Sequence, residues 1–240
     1  MTPPDRSVDP AFLATHTPLP TLIPTRTATS TMDVDATARA FFASTPSPSA
    51  SEEQIKKELA DLGLPFEGRL AWYMPAPVEI SLKNYNETKF SAAAQDLVFT
   101  DFVLKVSIGW DSKTGLAGCG IILRADTPLG TGSQYQFSTL RLAGAPAWDL
   151  EFFTNGKLVP NLSMPVQYTK AIDIEQGATN TYYLLVQGKE LTVLANGSRL
   201  GTVALSAREE GLTGLMGFQE SGETTCSFSQ FWIWDLSPQN

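Results

Sequence analysis

Histidine is almost missing: His16, near the start, is the only one in 240 residues. Beyond it the chain has no imidazole, which removes Ser-His-Asp and Cys-His catalysis by the usual base and every histidine-containing zinc site. Two cysteines, Cys119 and Cys226, are too few for an all-thiolate zinc site. Basic residues are scarce as well, 17 Lys and Arg against 25 Asp and Glu, for a net charge of -8. Such a surface repels phosphate backbones, so nucleic-acid binding has no electrostatic footprint. No apolar run approaches the roughly 18 residues that span a bilayer. The opening Met1-Thr2-Pro3-Pro4-Asp5 lacks the basic and apolar regions of a signal peptide. The expectation is an extracellular or cell-surface protein whose export segment is absent from this chain, with a cytosolic protein as the alternative.

Glycine is absent from residues 1–51, and every tryptophan and tyrosine also lies beyond residue 62. The first 51 residues are dominated by Thr, Pro, Ala and Ser, as in Thr17 to Thr31 (TPLPTLIPTRTATST). Such a segment cannot offset its ordering entropy, and its prolines favour extended conformers, so residues 1–51 read as a disordered spacer. At Ser51 the character changes. Ser51-Glu52-Glu53-Gln54 is a capping-box pattern with acids in the first turn. Ile55, Leu59 and Leu62 follow at helical spacing, and Gly63 precedes Pro65. The pattern predicts a short amphipathic helix over 52–63 whose stripe packs on the following domain, residues 64–240.

From Phe66 the apolar period is two rather than 3.6, with turn residues every 8 to 12 positions. The clearest hairpin is Leu191 to Ala195, Asn196-Gly197, then Arg199 to Leu205, because both central residues of a type I′ turn need positive φ. Roughly twelve to fourteen strands result, which fits an all-β, two-sheet antiparallel jelly-roll sandwich.

The run Asn180 to Gly197 (NTYYLLVQGKELTVLANG), then Gly211-Leu212-Thr213-Gly214-Leu215 and the closing CSFSQFWIWDL, resembles the end of a concanavalin A-like (laminin G-like) lectin/glucanase domain. The earlier stretch with Gly120-Ile121-Ile122-Leu123-Arg124 and Tyr135-Gln136-Phe137 is similar to the strand pair that precedes it in bacterial keto-disaccharide hydrolase-like or laminarinase-like members. The resemblance covers about residues 66–236. It implies a curved sandwich whose concave face holds carbohydrate, with Arg124, Tyr135 and Gln136 on that face.

A glycosidase needs two carboxyl groups flanking the scissile bond. Asp173 with Glu175 and Asp149 with Glu151 are spaced to share a strand face. Against the laminarinase-type signature Glu-x-Asp-x-x-Glu, however, alanine stands in the leading position of each, Ala171 and Ala147. The expectation is therefore no catalytic pair, these acids lying on a solvated strand face. Sugar recognition needs less: an aromatic ring and a few orienting polar groups. Trp110 and Trp148 are aromatic candidates beside Arg124, Tyr135 and Gln136, whereas Trp232 and Trp234 read as core. No cofactor is expected. Calcium occurs in the resembling family and suits the acidic balance, although no loop clusters acids as an EF-hand does. Cys119 and Cys226 are either a disulfide closing about a hundred residues or, as their strand-like context favours, two buried thiols.

The reading is a surface-displayed module that binds a polysaccharide or surface glycan without cleaving it. A glycoside hydrolase whose carboxylates come from separate strands is one rival. A structural protein that contacts a protein partner through the sandwich is another.

Overall fold

A computed structural model describes residues 48–94, 96–112, 115–142 and 144–238. The expected spacer, up to residue 47, lies outside the described residues. One helix, α1 (Pro48–Asp61), precedes fourteen strands. It starts four residues before the capping-box reading places it, with Pro48 in the first turn, where a missing N–H costs nothing. Ser51 therefore sits within the helix rather than at its cap. At the other end Gly63 has φ +68° and stops it as expected.

The strands are β1 (Arg69–Tyr73), β2 (Val78–Leu82), β3 (Glu87–Ala92), β4 (Phe102–Ser112), β5 (Ala117–Ala125), β6 (Gln134–Leu142) and β7 (Ala145–Thr154), then β8 (Lys157–Leu158), β9 (Met164–Tyr168), β10 (Thr179–Gln187), β11 (Glu190–Ala195), β12 (Ser198–Ala204), β13 (Leu212–Gln219) and β14 (Thr224–Asp235). They form two antiparallel seven-stranded sheets. Sheet I runs β1-β14-β4-β10-β11-β12 with β2 also on β14, and sheet II runs β3-β13-β5-β6-β7-β8 with β9 also on β7. The β11–β12 turn is the expected one, with φ +50° at Asn196 and +77° at Gly197.

Strand alternation puts one face of each sheet into a shared core. Sheet I contributes Phe102, Leu104, Val106, Ile108, Tyr182, Leu184 and Phe228; sheet II contributes Ile121, Leu123, Phe137, Leu150 and Phe152. The cysteines join the sheets: Cys119 of β5 and Cys226 of β14 form a disulfide, correcting the expectation of two thiols. Their Cα atoms are 5.6 Å apart, much less than the usual spacing of stacked sheets near 10 Å. Gly217 stands directly across β13–β5 from Cys119, and a Cβ there would lie 3.0 Å from the Cys226 sulfur. The missing side chain lets the sheets close at this point.

The other face of sheet I is covered. Ile55 and Leu59 of α1, with Leu64, pack on Val103, Tyr183, Leu194, Trp232 and Trp234. The two tryptophans are buried as expected, but they close the helix interface rather than the space between the sheets. Glu58 of α1 anchors the contact, accepting from the Tyr183 hydroxyl and from Lys105 Nζ at 2.5 Å. The helix therefore docks on the domain, and the outer face of sheet II is the sheet face that no described helix covers.

Candidate functional site

The outer face of sheet II has two halves. On β3, β13 and β5 it is apolar, with Ile122 and Met216 packed against Phe90, Phe218 and Leu129. On β6 and β7 it is polar. Directly opposed residues of an antiparallel pair share a face, and here Gln136 opposes Glu151 while Ser138 opposes Asp149. Their neighbours Tyr135, Phe137, Leu150 and Phe152 point into the core, so these four point away from it.

Asp149 is the unusual member. The expectation was an acid on a solvated strand face, yet its exposure is only 6%, and its Oδ1 has no hydrogen-bond partner. Burial, then the charge of Glu151, push its pKa up to about 7. Burial raises Glu151 too. On the same face of β6, Gln134 Oε1 accepts from the Gly130 N–H at 2.8 Å, while its buried Nε2 is unpartnered. From Asp149 to the level of Gln134, opposite Phe153, is four residues of strand, or about 13 Å.

The row has distinct ends. At one, Tyr168 opposes Ala147 across β7–β9 and is 66% exposed, so it stands on the same face as Asp149 with its ring in solvent. At the other, a cleft of about 560 Å³ is lined by Asp126, Pro128, Thr131, Ser133 and Asn155 from the β5–β6 loop and the β7–β8 turn. Ser133 immediately precedes Gln134, and its hydroxyl lies 3.0 Å from that of Thr154. An exposed aromatic ring on β9, the acids and the buried amides of β6 and β7, and a polar cleft at the loop end thus lie on one side of sheet II.

The sequence-derived site residues divide. Only Gln136 of the five binding candidates lies on this face. Trp110, Trp148 and Tyr135 point between the sheets and are buried there, so none offers a ring to a ligand. Trp148 fills the space beside Gly201, and the Tyr135 hydroxyl accepts from the Ala207 N–H at 2.7 Å.

Arg124 is wholly buried at the end of the sandwich. Its guanidinium donates to the carbonyls of Thr100, Gly188 and Arg208 at 2.7 to 2.8 Å and lies 3.9 Å from Asp101. It ties the entry to β4, the β10–β11 turn and the β12–β13 loop together and faces no groove. Desolvation lowers its pKa, with Asp101 opposing. Replacing Arg124 with Met is expected to cost about 3 kcal/mol, because three carbonyls lose their donor. Lysine should restore little of this, since one ammonium cannot reproduce the planar fork. Urea unfolding of both variants measures the loss.

Asp173 and Glu175 do not share a strand face. Both are exposed in the loop between β9 and β10, where Asp173 Oδ1 accepts from the Glu175 N–H at 2.9 Å. That is an Asx turn, a local use of the side chain that competes with strand formation. Asp149 and Glu151 do share a face, but Ala147 precedes them where a third acid would stand. Tyr168 was missed, because five-residue β9 has no alternation that marks it as an edge. Among the described residues no group of three or more His, Cys, Asp or Glu is placed to hold a metal ion, and no helix is long and apolar enough to cross a membrane.

No protein-family model and no curated protein matches the chain. Among solved structures it is similar to the carbohydrate binding module CBM66 from Bacillus subtilis, with TM-score 0.49 and 15% identity over 65% of this chain and 86% of that one. It is also similar to a prokaryotic β-1,3-1,4-glucanase (lichenase) derived from a mouse hindgut metagenome, with TM-score 0.44 and 11% identity over 66% and 80%. For a β-glucanase of Bacillus licheniformis the values are 0.42 and 7% over 71% and 97%. At these scores and identities the likenesses carry no argument about this chain, whose two-sheet antiparallel sandwich rests on its own strand pairing.

Proposed function

We propose that the outer face of sheet II binds a glycan and does not cleave it. The observation that carries this reading is Asp149: a buried carboxyl with an unpartnered oxygen destabilises the fold and serves no packing purpose. Such a group is retained where a ligand completes its hydrogen bonds. Gln136 and Ser138 supply further polar contacts, and Tyr168 supplies a ring for the apolar face of a pyranose. The intersheet disulfide supports export, since such bonds persist in oxidising compartments.

One observation favours hydrolysis as a second reading: a carboxyl that titrates near 7 beside another acid is the environment of a general acid. Against it, Ala147 stands in the leading position of the laminarinase-type signature, and the apolar half of the face lines up Ile122, Met216, Phe90 and Phe218 rather than a second carboxylate.

A polysaccharide panel distinguishes the readings. Binding by isothermal titration, weakened about tenfold or more in Asp149→Asn and in Gln136→Ala with no reducing ends released, supports recognition alone. Reducing ends that vanish in Asp149→Asn establish the hydrolase. A blank panel combined with an ordered oligomer in solution favours a protein partner.

A further inference from the structure

We infer that the ligand of this face is an amine-bearing saccharide, a polymer of hexoses with free 2-amino groups, held by Asp149 and Glu151. The inference rests on the glycan reading and adds the chemistry of the sugar. Its basis is the unpartnered Oδ1 of buried Asp149 and the lack of a cation facing the two acids among the described residues. Asp149 and Glu151 sit two residues apart on the same side of β7.

The basic residues of sheet II all act elsewhere. Lys89 stands opposite Gly217, on the core side of β3, and reaches the Ser81 carbonyl and Glu87. Arg124 is consumed by its three carbonyls. Arg141 donates across the sandwich to the Ser112 carbonyl of β4 at 3.2 Å. Lys157 opposes Thr154, whose side alternates with that of Phe153. Consistent with this, burial and Glu151 raise Asp149, burial raises Glu151, and no cation opposes either effect.

Among the described residues a countercharge is therefore missing, and the donor set decides which kind fits. Two carboxylates with one amide and one hydroxyl fall short of the six or so oxygens that a hard cation requires, and among the described residues no third acid joins them. An ammonium needs only three acceptors, which Asp149, Glu151 and the Gln136 carbonyl can provide. The sugar ring that carries it can lie toward Tyr168, where the exposed aromatic face also favours positive charge. The net charge of -8 adds long-range attraction for a cationic polymer and repels uronates and sulfated glycans.

The test compares, by isothermal titration near neutral pH, a fully deacetylated glucosamine oligomer, its N-acetylated counterpart, a uronate oligomer and polylysine. The expected result is that the deacetylated oligomer binds at least about tenfold tighter than the acetylated one, more weakly as salt is raised, with no uronate binding. In Asp149→Asn/Glu151→Gln the preference should disappear, the two oligomers binding equally weakly, and circular dichroism confirms that the variant is folded. Equal affinity for the two oligomers, or a preference that survives in the double variant, overturns the inference and leaves the glycan reading standing. Polylysine binding as tightly as the amino sugar overturns it as well, because charge alone would then suffice. Failure of every saccharide, here and on the wider panel, removes the glycan reading itself.

Discussion

Reduction of the Cys119–Cys226 bond, or its replacement by a pair of alanines, is expected to lower the unfolding free energy by about 5 kcal/mol. The bond closes a loop with a sequence separation of 107, so it removes a large share of the conformational freedom of the unfolded chain. It also joins the central strand of sheet II to the strand of sheet I that pairs with β1, β2 and β4. Breaking it leaves the sheets associated through the core alone, which is a large part of the usual stability of a domain. Urea unfolding with and without a reductant, and of Cys119→Ala/Cys226→Ala, measures the effect. A midpoint unchanged by reduction would show that Gly217 and the surrounding packing, not the covalent link, hold the sheets at this spacing.

The second large effect belongs to Asp149. Its folded pKa is raised from 3.8 to about 7, so the folded state binds the proton more tightly than the unfolded state does. The stability gained from protonation is fully present below the unfolded value and is lost as pH rises through the folded one. At about 1.4 kcal/mol per unit, a shift of about three units corresponds to roughly 4 kcal/mol between pH 4 and pH 8. Glu151 acts in the same direction, its pKa also being raised. Asp149→Asn should therefore flatten the pH dependence across that range and unfold at higher denaturant than the unsubstituted protein at pH 8, while at pH 4 the two nearly coincide. Denaturation series at several pH values check both statements. Equal slopes for the two proteins would mean that Asp149 finds a partner in solution, and the main support for the ligand face would be gone. A substitution that stabilises the fold while abolishing binding is the trade expected where a strained polar group is kept for function.

The strands were legible because their evidence is local. Gln134–Leu142 was read to the residue, and the Asn196-Gly197 turn carried its own signature of positive φ. The stripe of Ile55 and Leu59 likewise announced a helix that packs on the domain. The site was less legible, for a physical reason: alternation shows which residues share a face, but not which face points into the core. Trp110 and Trp148 are one residue out of phase with a ligand face, and the inner side of a sandwich accepts an aromatic ring as readily as a sugar site does. Arg124 was expected on the ligand face only through the resemblance, since an arginine in an apolar strand fits a groove or a buried acid partner equally well. The carbonyls that satisfy it come from three distant loops, and nothing in its neighbourhood along the chain signals them.

The sequence alone therefore determined the sandwich, the leading helix, the scarcity of histidine and the acidic balance, all of which follow from composition and short-range periodicity. Only the tertiary structure decided that Cys119 meets Cys226, that α1 closes one sheet face and not the other, and that Asp149 lies buried with its Oδ1 unpartnered. Each of these depends on how two sheets register against each other across the core, and that register is set by long-range packing, which leaves no period in the chain.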